Sequence, residues 1–260
     1  MTALVTGGGR GIGRGIALRL AKAGMAVAVS ARSVDQLDET VSMAGGKMIA
    51  VAADVADPPS VRAMVREVEA RLGPVDLLVN NAGTGGPFGP IWEADADEWW
   101  RCQEVNLRGP FVCCREILPG MIARKSGRII NIVSGAGCQA FPDMSAYVAS
   151  KTALIRLSEQ IAVEAAPHGV SAFALRPGIV RTAMLEEALP KMPILQKMLD
   201  DGREVSTDTV ADLVLLLASG KADALSGRTL SVYDDQNELL LRAADVVKDE
   251  LYLLRVRALS

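Results

Sequence analysis

Short runs of consecutive apolar, β-prone residues recur at 2–6, 25–30, 48–53, 75–80, 128–133 and 170–175, with a weaker one at 229–232. They are too continuous for half-exposed strands and suit strands covered on both faces. Between them, helical patterns span 11–23, 34–44, 59–72, 96–123, 145–166 and 207–218. This alternation predicts an α/β fold, a doubly wound parallel sheet of about seven strands with helices on both faces. Local punctuation agrees. Ser33 with Gln36 reads as a capping box ahead of the second helix, and Pro58-Pro59 marks the start of the third.

Two segments fall outside the alternation. Residues 183–205 are rich in Met, Leu and Pro with scattered charges, which predicts a mobile flap. Residues 236–257 place Leu240, Ala244, Val247, Leu251 and Leu254 at three- and four-residue steps, an extra amphipathic helix at the C-terminus. Its apolar face must pack on this subunit or on a neighbour. The expected division is one domain over 1–235, flap included, followed by a helical extension over 236–260.

Composition narrows the function. The 260 residues are 50% apolar with a net charge of −3, enough apolar material for one sizeable core. An isoelectric point near 5.4 argues against a nucleic-acid partner, which needs a basic face. The single histidine, His168, excludes a multi-histidine metal site. Cys102, Cys113, Cys114 and Cys138 contain no C-x-x-C pair and read as reduced, mostly packed thiols. No uncharged apolar stretch reaches the roughly 18 residues of a membrane span. The first strand begins at Thr2, which leaves no room for a signal peptide. The expectation is a soluble, cytoplasmic protein.

Chemistry enters at Thr6-Gly7-Gly8-Gly9-Arg10-Gly11-Ile12-Gly13, between the first strand and the first helix. Glycines let a pyrophosphate approach the main chain, and a helix N-terminus offers unpaired N–H groups and a favourable dipole. Farther on, Ser134 follows the fifth strand, and Tyr147 and Lys151 lie four apart on a helix, so their side chains share a face. A phenol beside an ammonium is drawn toward the acidity that general acid–base work needs. The spacing T-G-x-x-x-G-x-G resembles the short-chain dehydrogenase/reductase family. The resemblance continues through Asp54-Val55, Asn80-Asn81-Ala82-Gly83, Asn106, Ser134, Tyr147-x-x-x-Lys151 and Pro177-Gly178.

The resemblance implies a Rossmann-type fold and hydride transfer between nicotinamide C4 and a carbonyl or secondary alcohol. It implies that Tyr147 transfers the proton, Ser134 holds the substrate oxygen, Lys151 also holds the nicotinamide ribose, and Asn106 maintains a water relay to Lys151. It places Asp54 on the adenine ring, with Val55 beside it, and Asn81, Ala82 and Gly83 near the adenosine ribose. Pro177, Gly178, Ile179 and Thr182 fall to the nicotinamide carboxamide. Where a cofactor with a free 2′-hydroxyl usually meets an acid, the second strand ends in Ala31 and Arg32, and Arg10 is a second cation on that side. Guanidinium groups suit a 2′-phosphate, so NADP(H) is expected ahead of NAD(H).

Substrate-facing positions should follow strand ends: Phe88, Cys138, Gln139, Phe141, Met144, Met184 and Leu185, mostly apolar and without an obvious clamp for a carboxylate or phosphate. They suit a neutral, moderately hydrophobic ketone or aldehyde as the small-molecule substrate. Family members that reduce 3-oxoacyl carrier-protein thioesters would want basic surface beside the pocket, for which Arg108 and Arg181 are candidates. The alternatives are an alcohol or polyol dehydrogenase working oxidatively, or a dinucleotide sensor without turnover. Family resemblance also implies a homodimer or homotetramer, with Phe111, Val112, Ile117 and Met121 as plausible contacts that could equally face the sheet.

Overall fold

A computed structural model describes residues 1–256. Each apolar run forms a strand: β1 (Thr2–Thr6), β2 (Ala26–Ala31), β3 (Met48–Ala52), β4 (Leu77–Asn80), β5 (Gly127–Ile132), β6 (Val170–Arg176) and β7 (Thr229–Ser231). They make one parallel sheet in the order β3-β2-β1-β4-β5-β6-β7. The crossovers in the first half are α1 (Gly11–Lys22), α2 (Val34–Ser42) and α3 (Pro58–Leu72). In the second half α4 (Ala96–Gln103) and α5 (Gly109–Arg124) lead to β5, and α6 (Ser145–Ala165) leads to β6. Three helices precede β7: α7 (Ala183–Ala188), α8 (Pro193–Asp200) and α9 (Thr207–Ala218).

The two faces explain why the strand runs are continuous. On one face Ile16, Leu20, Leu37, Val210 and Leu217 from α1, α2 and α9 meet Val5, Val29, Ile130 and Phe173. On the other, Met64, Cys113, Ile117 and Ile161 from α3, α5 and α6 meet Leu4, Leu78 and Ile129. After β1 the order reverses, β2 lying to one side and β4 to the other. A crevice therefore opens beyond the carboxyl ends of the central strands, where doubly wound sheets bind ligands.

Several local expectations are corrected. Ser33 makes no side-chain cap, so the capping box does not form, whereas Asp57 caps α3 by accepting from the Ser60 N–H at 3.1 Å, with the two prolines just inside. The single helix expected over 96–123 is three pieces, because a π-helical turn at Glu104–Arg108 separates α4 from α5. Pro110 has no N–H for the Asn106 carbonyl, and there the ladder shifts to i→i−5, with Gly109 N–H reaching Glu104. The proposed flap segment is largely helical, as α7 and α8, and its end is tied to Ile179 by the Val205 N–H at 2.7 Å.

The tail differs most. It forms two short helices, α10 (Gln236–Leu241) and α11 (Ala243–Lys248), with a break at Arg242 that rotates the second against the first. The buried side chains are consequently Leu239 and Val246, while Val247 and Leu251 are exposed. Both buried residues enter this subunit's own core, and Leu254 packs beside Val133 and Leu154. The Tyr252 carbonyl accepts the Thr229 N–H of β7 at 2.9 Å, so the tail covers the edge strand. The last four positions of the expected extension, 257–260, lie outside the described residues. Of the suggested subunit contacts, Val112, Ile117 and Met121 are buried against the sheet and only Phe111 is exposed. Among the described residues no helix is long and apolar enough to cross a membrane.

Candidate active site

The glycine turn is held from three sides. Gly7 has φ +66°, and a Cβ there would lie 2.8 Å from Asn81 Nδ2. The Asn81 amide donates to the carbonyls of Thr6 and Gly7 at 3.0 and 3.2 Å, and the Thr6 hydroxyl accepts from the N–H groups of Asn81 and Ala82. Asn81 therefore braces the turn with its side chain. Across the crevice, a Cβ on Gly11 (φ +55°) would lie 3.3 Å from Thr182 Cγ2, so the Pro177–Thr182 stretch overhangs Gly11 and Ile12. Behind the turn stands Arg14, which sequence reading missed. It donates to the Gly9 carbonyl and the Thr40 hydroxyl, each at 3.1 Å through Nε, and pairs with Glu39.

This cradle fits an anionic dinucleotide. The first turn of α1, which includes Gly13, carries no acid and no side-chain cap, so its N–H groups remain for a phosphate. Arg10 and Arg32 are both exposed, and neither forms an ion pair or side-chain hydrogen bond among the described residues. At the end of β3, partial burial pushes the Asp54 carboxyl up. The Ala56 N–H (2.9 Å) and the Arg101 guanidinium (2.9 Å) outweigh it and hold Asp54 below the usual range. Val55 is buried against Gly109 at the start of α5.

Four candidate catalytic residues converge between β5, the π turn and α6. Ser134 follows the end of β5; its hydroxyl oxygen accepts the Ala136 N–H at 3.2 Å, which leaves its proton free for another acceptor. Tyr147 and Lys151 stand one turn apart on α6, with Lys151 Nζ 5.6 Å from the phenol ring centroid. Nζ donates to the Ile132 carbonyl at 2.9 Å. Asn106 is fully buried. Its amide donates to the Thr84 carbonyl (2.9 Å) and the Ser150 hydroxyl (3.0 Å), and its Oδ1 accepts the Thr84 N–H (2.8 Å). Trp99 and Gln103 of α4 add bonds to Ser145 and the Ala146 carbonyl, so α4 and the π turn grip the end of α6 that carries Tyr147.

Burial sets the proton affinities of the pair. Burial pushes the Tyr147 phenol up; the Ser134 hydroxyl pulls the other way, and the nearby Cys102 raises it further. Burial brings the Lys151 ammonium down to about 8, so it is still charged at neutral pH, and Nζ donates one hydrogen bond to the Ile132 carbonyl. Tyr147 is thus a phenol at neutral pH, the form that can donate a proton. Cys102, Cys113 and Cys114 are buried, and burial raises all three, taking Cys114 to about 12.

Ser134 and Tyr147 open onto a cleft of about 380 Å³. Phe88, Cys138, Gln139, Phe141, Met144, Met184 and Leu185 all line it, as do Ile12, Pro177, Gly178, Ile179 and Thr182. Cys138 is exposed, Met144 buried. Leu195, Met198, Tyr233 and two arginines, Arg176 and Arg203, also line it and were not anticipated. The carrier-docking candidates are already engaged, Arg181 with Glu186 and Glu204, and Arg108 with Glu104 at 3.9 Å. Among the described residues no cluster could hold a metal ion.

A family model described as short chain dehydrogenase matches residues 1–193, and the chain belongs to that family of oxidoreductases, whose members bind nicotinamide dinucleotides. A short chain dehydrogenase of Pseudocercospora fijiensis is 36% identical over 275 residues, covering 98% of this chain and 89% of that protein. The 3-oxoacyl-[acyl-carrier-protein] reductase of Staphylococcus aureus is 36% identical over 238 residues, covering 89% and 96%. Among solved structures, a variant of actinorhodin polyketide ketoreductase with NADPH matches with TM-score 0.84 at 34% identity, over 89% of this chain and 95% of that one.

Proposed function

We propose that this protein is an NADPH-dependent carbonyl reductase with Tyr147 as its general acid. The observation that carries the reading is the meeting of Ser134 and Tyr147 in one cleft, with Lys151 beneath them and the Pro177–Thr182 stretch opposite. The nicotinamide, when bound, supplies the hydride. The Ser134 O–H orients the carbonyl oxygen, and Tyr147 donates its proton to that oxygen as negative charge builds on it. Lys151, still charged below about pH 8, stabilises the phenolate left behind. The Ser150 hydroxyl, which bonds both Asn106 and the Tyr147 carbonyl, keeps the helix turn in place.

Arg10 and Arg32 support NADPH over NADH, because two uncommitted guanidinium groups flank the turn where a ribose acid would otherwise sit. The reductase and ketoreductase relatives support reduction as the direction. The test follows NADPH and NADH oxidation side by side over ketones, aldehydes and 3-oxoacyl thioesters. NADPH-preferring turnover that falls by at least about 10³-fold in Tyr147→Phe is expected. Turnover only in the oxidative direction with NAD+ would instead establish an alcohol or polyol dehydrogenase. Tight NADPH binding with no turnover anywhere would point to a sensor.

A further inference from the structure

Among the described residues, every charged side chain that lines the catalytic cleft is a cation, Arg176 or Arg203, and no aspartate or glutamate lines it. Near the mouth, Lys191 lies 4.7 Å above the Phe88 ring, with its charge offset by Glu187 at 3.9 Å. A low-dielectric cleft with charge of one sign concentrates ligands of the other.

Arg176 is the more telling of the two arginines. It is the last residue of β6, opposite Ser231 in register, and its neighbour Leu175 accepts the Val133 N–H at 2.8 Å. Arg176 therefore stands about one strand spacing, ~5 Å, from the backbone that carries Ser134. It is half-buried, its Nε is shut off from solvent without a partner, and no nitrogen of its guanidinium bonds to a described residue. Asp234, the acid whose charge reaches it, gives Oδ2 to the Ser231 N–H at 2.6 Å. Buried donors in folded proteins are almost always satisfied, and a guanidinium holds five of them in a fork that matches a carboxylate. The remainder of the wall, Phe88, Phe141, Met144, Leu195 and Met198, is apolar.

We infer that the carbonyl substrate carries a carboxylate on an apolar frame and that Arg176 receives it. This rests on the carbonyl-reductase reading of the same cleft and departs from the expectation of a neutral ketone. The test compares oxo-octanoic acids of differing carbonyl position with their methyl esters, in the wild type, Arg176→Gln and Arg176→Lys. The wild type should prefer acid over ester in kcat/KM. That preference should fall about ten-fold or more in Arg176→Gln and recover in part in Arg176→Lys.

Calorimetry on the NADP+-loaded protein gives a readout without turnover, with octanoate against octanamide as probes. Octanoate should bind more tightly, and Arg176→Gln should remove the difference while NADP+ affinity holds. Equal use of acid and ester, or a loss that falls on NADP+ affinity, would overturn the inference, the second result assigning Arg176 to the cofactor's diphosphate. Octanoate held through Arg176 without reduction of any carbonyl compound would sustain the anion site and sink the reductase reading. If thermal unfolding shows Arg176→Gln to be misfolded, Arg176→Lys and Arg203→Gln carry the comparison. An acid preference unchanged in Arg176→Lys, or lost in Arg203→Gln, would then overturn the inference.

Discussion

Burying Lys151 beneath Tyr147 has a thermodynamic signature. Its folded-state pKa of about 8 lies below the ordinary 10.5. Below pH 8 folded and unfolded chains both hold the proton, and the full cost of the buried charge is present, about 3 kcal/mol. Between pH 8 and 10.5 only the unfolded chain holds it, so the folded state gains stability as pH rises. The unfolding free energy of the wild type, from urea titrations, should gain about 2 kcal/mol on that of Lys151→Met between pH 7 and pH 9.5. A constant difference would show that Lys151 is not desolvated. At the cofactor's edge, Arg32→Ala with Arg10→Ala should raise the KM for NADPH at least about ten-fold and leave NADH within about two-fold. An equal effect on both would remove these arginines from phosphate recognition. Ser134, Tyr147 and Lys151 were legible because a strand end and helical spacing place them together, whereas Asn106 was legible only through the family resemblance. Arg14, Arg101, Arg176 and Arg203 were not, because their neighbours are reached only through long-range packing and no local period announces them.

Tyr233 links three elements. Its hydroxyl donates to the Arg203 carbonyl at 2.6 Å and accepts the Ile179 N–H at 3.2 Å. The stretch after β7 is thereby bolted to both ends of the segment that carries α7 and α8. Half of the Tyr233 side chain is exposed, so Tyr233→Phe should cost little stability. It should raise the KM for NADPH and substrate several-fold while kcat stays within about two-fold, because it loosens the cleft wall without touching Tyr147. A kcat loss at constant KM would contradict that role. Strands were easy to place at this scale because burial on both faces writes an unbroken apolar run. The π turn at Glu104–Arg108 was hidden because the apolar period of 96–123 carries through it. Ser33 shows the converse, a capping pattern whose side-chain bond does not form.

For the molecule as a whole, the parallel sheet and its crevice were written in the alternation of strand and helix. The tail's docking was not, since the break at Arg242 changes which residues face inward. Leu239 and Val246 each bury a side chain worth about 1.5–3 kcal/mol, and the Tyr252 carbonyl caps β7. A chain ending at Asp235 should therefore melt about 10 °C or more below the full protein. An unchanged midpoint would show the tail to be dispensable for stability. Sheet, glycine cradle and cleft together make one claim, hydride delivery to a carbonyl with protonation by Tyr147. Its most direct measurement uses NADPH deuterated at C4 and mass spectrometry of the alcohol product. Deuterium on the carbinol carbon from one of the two C4 positions, lost with turnover in Tyr147→Phe, is the predicted result. An alcohol formed without deuterium from either position, or formed equally well by Tyr147→Phe, would contradict it.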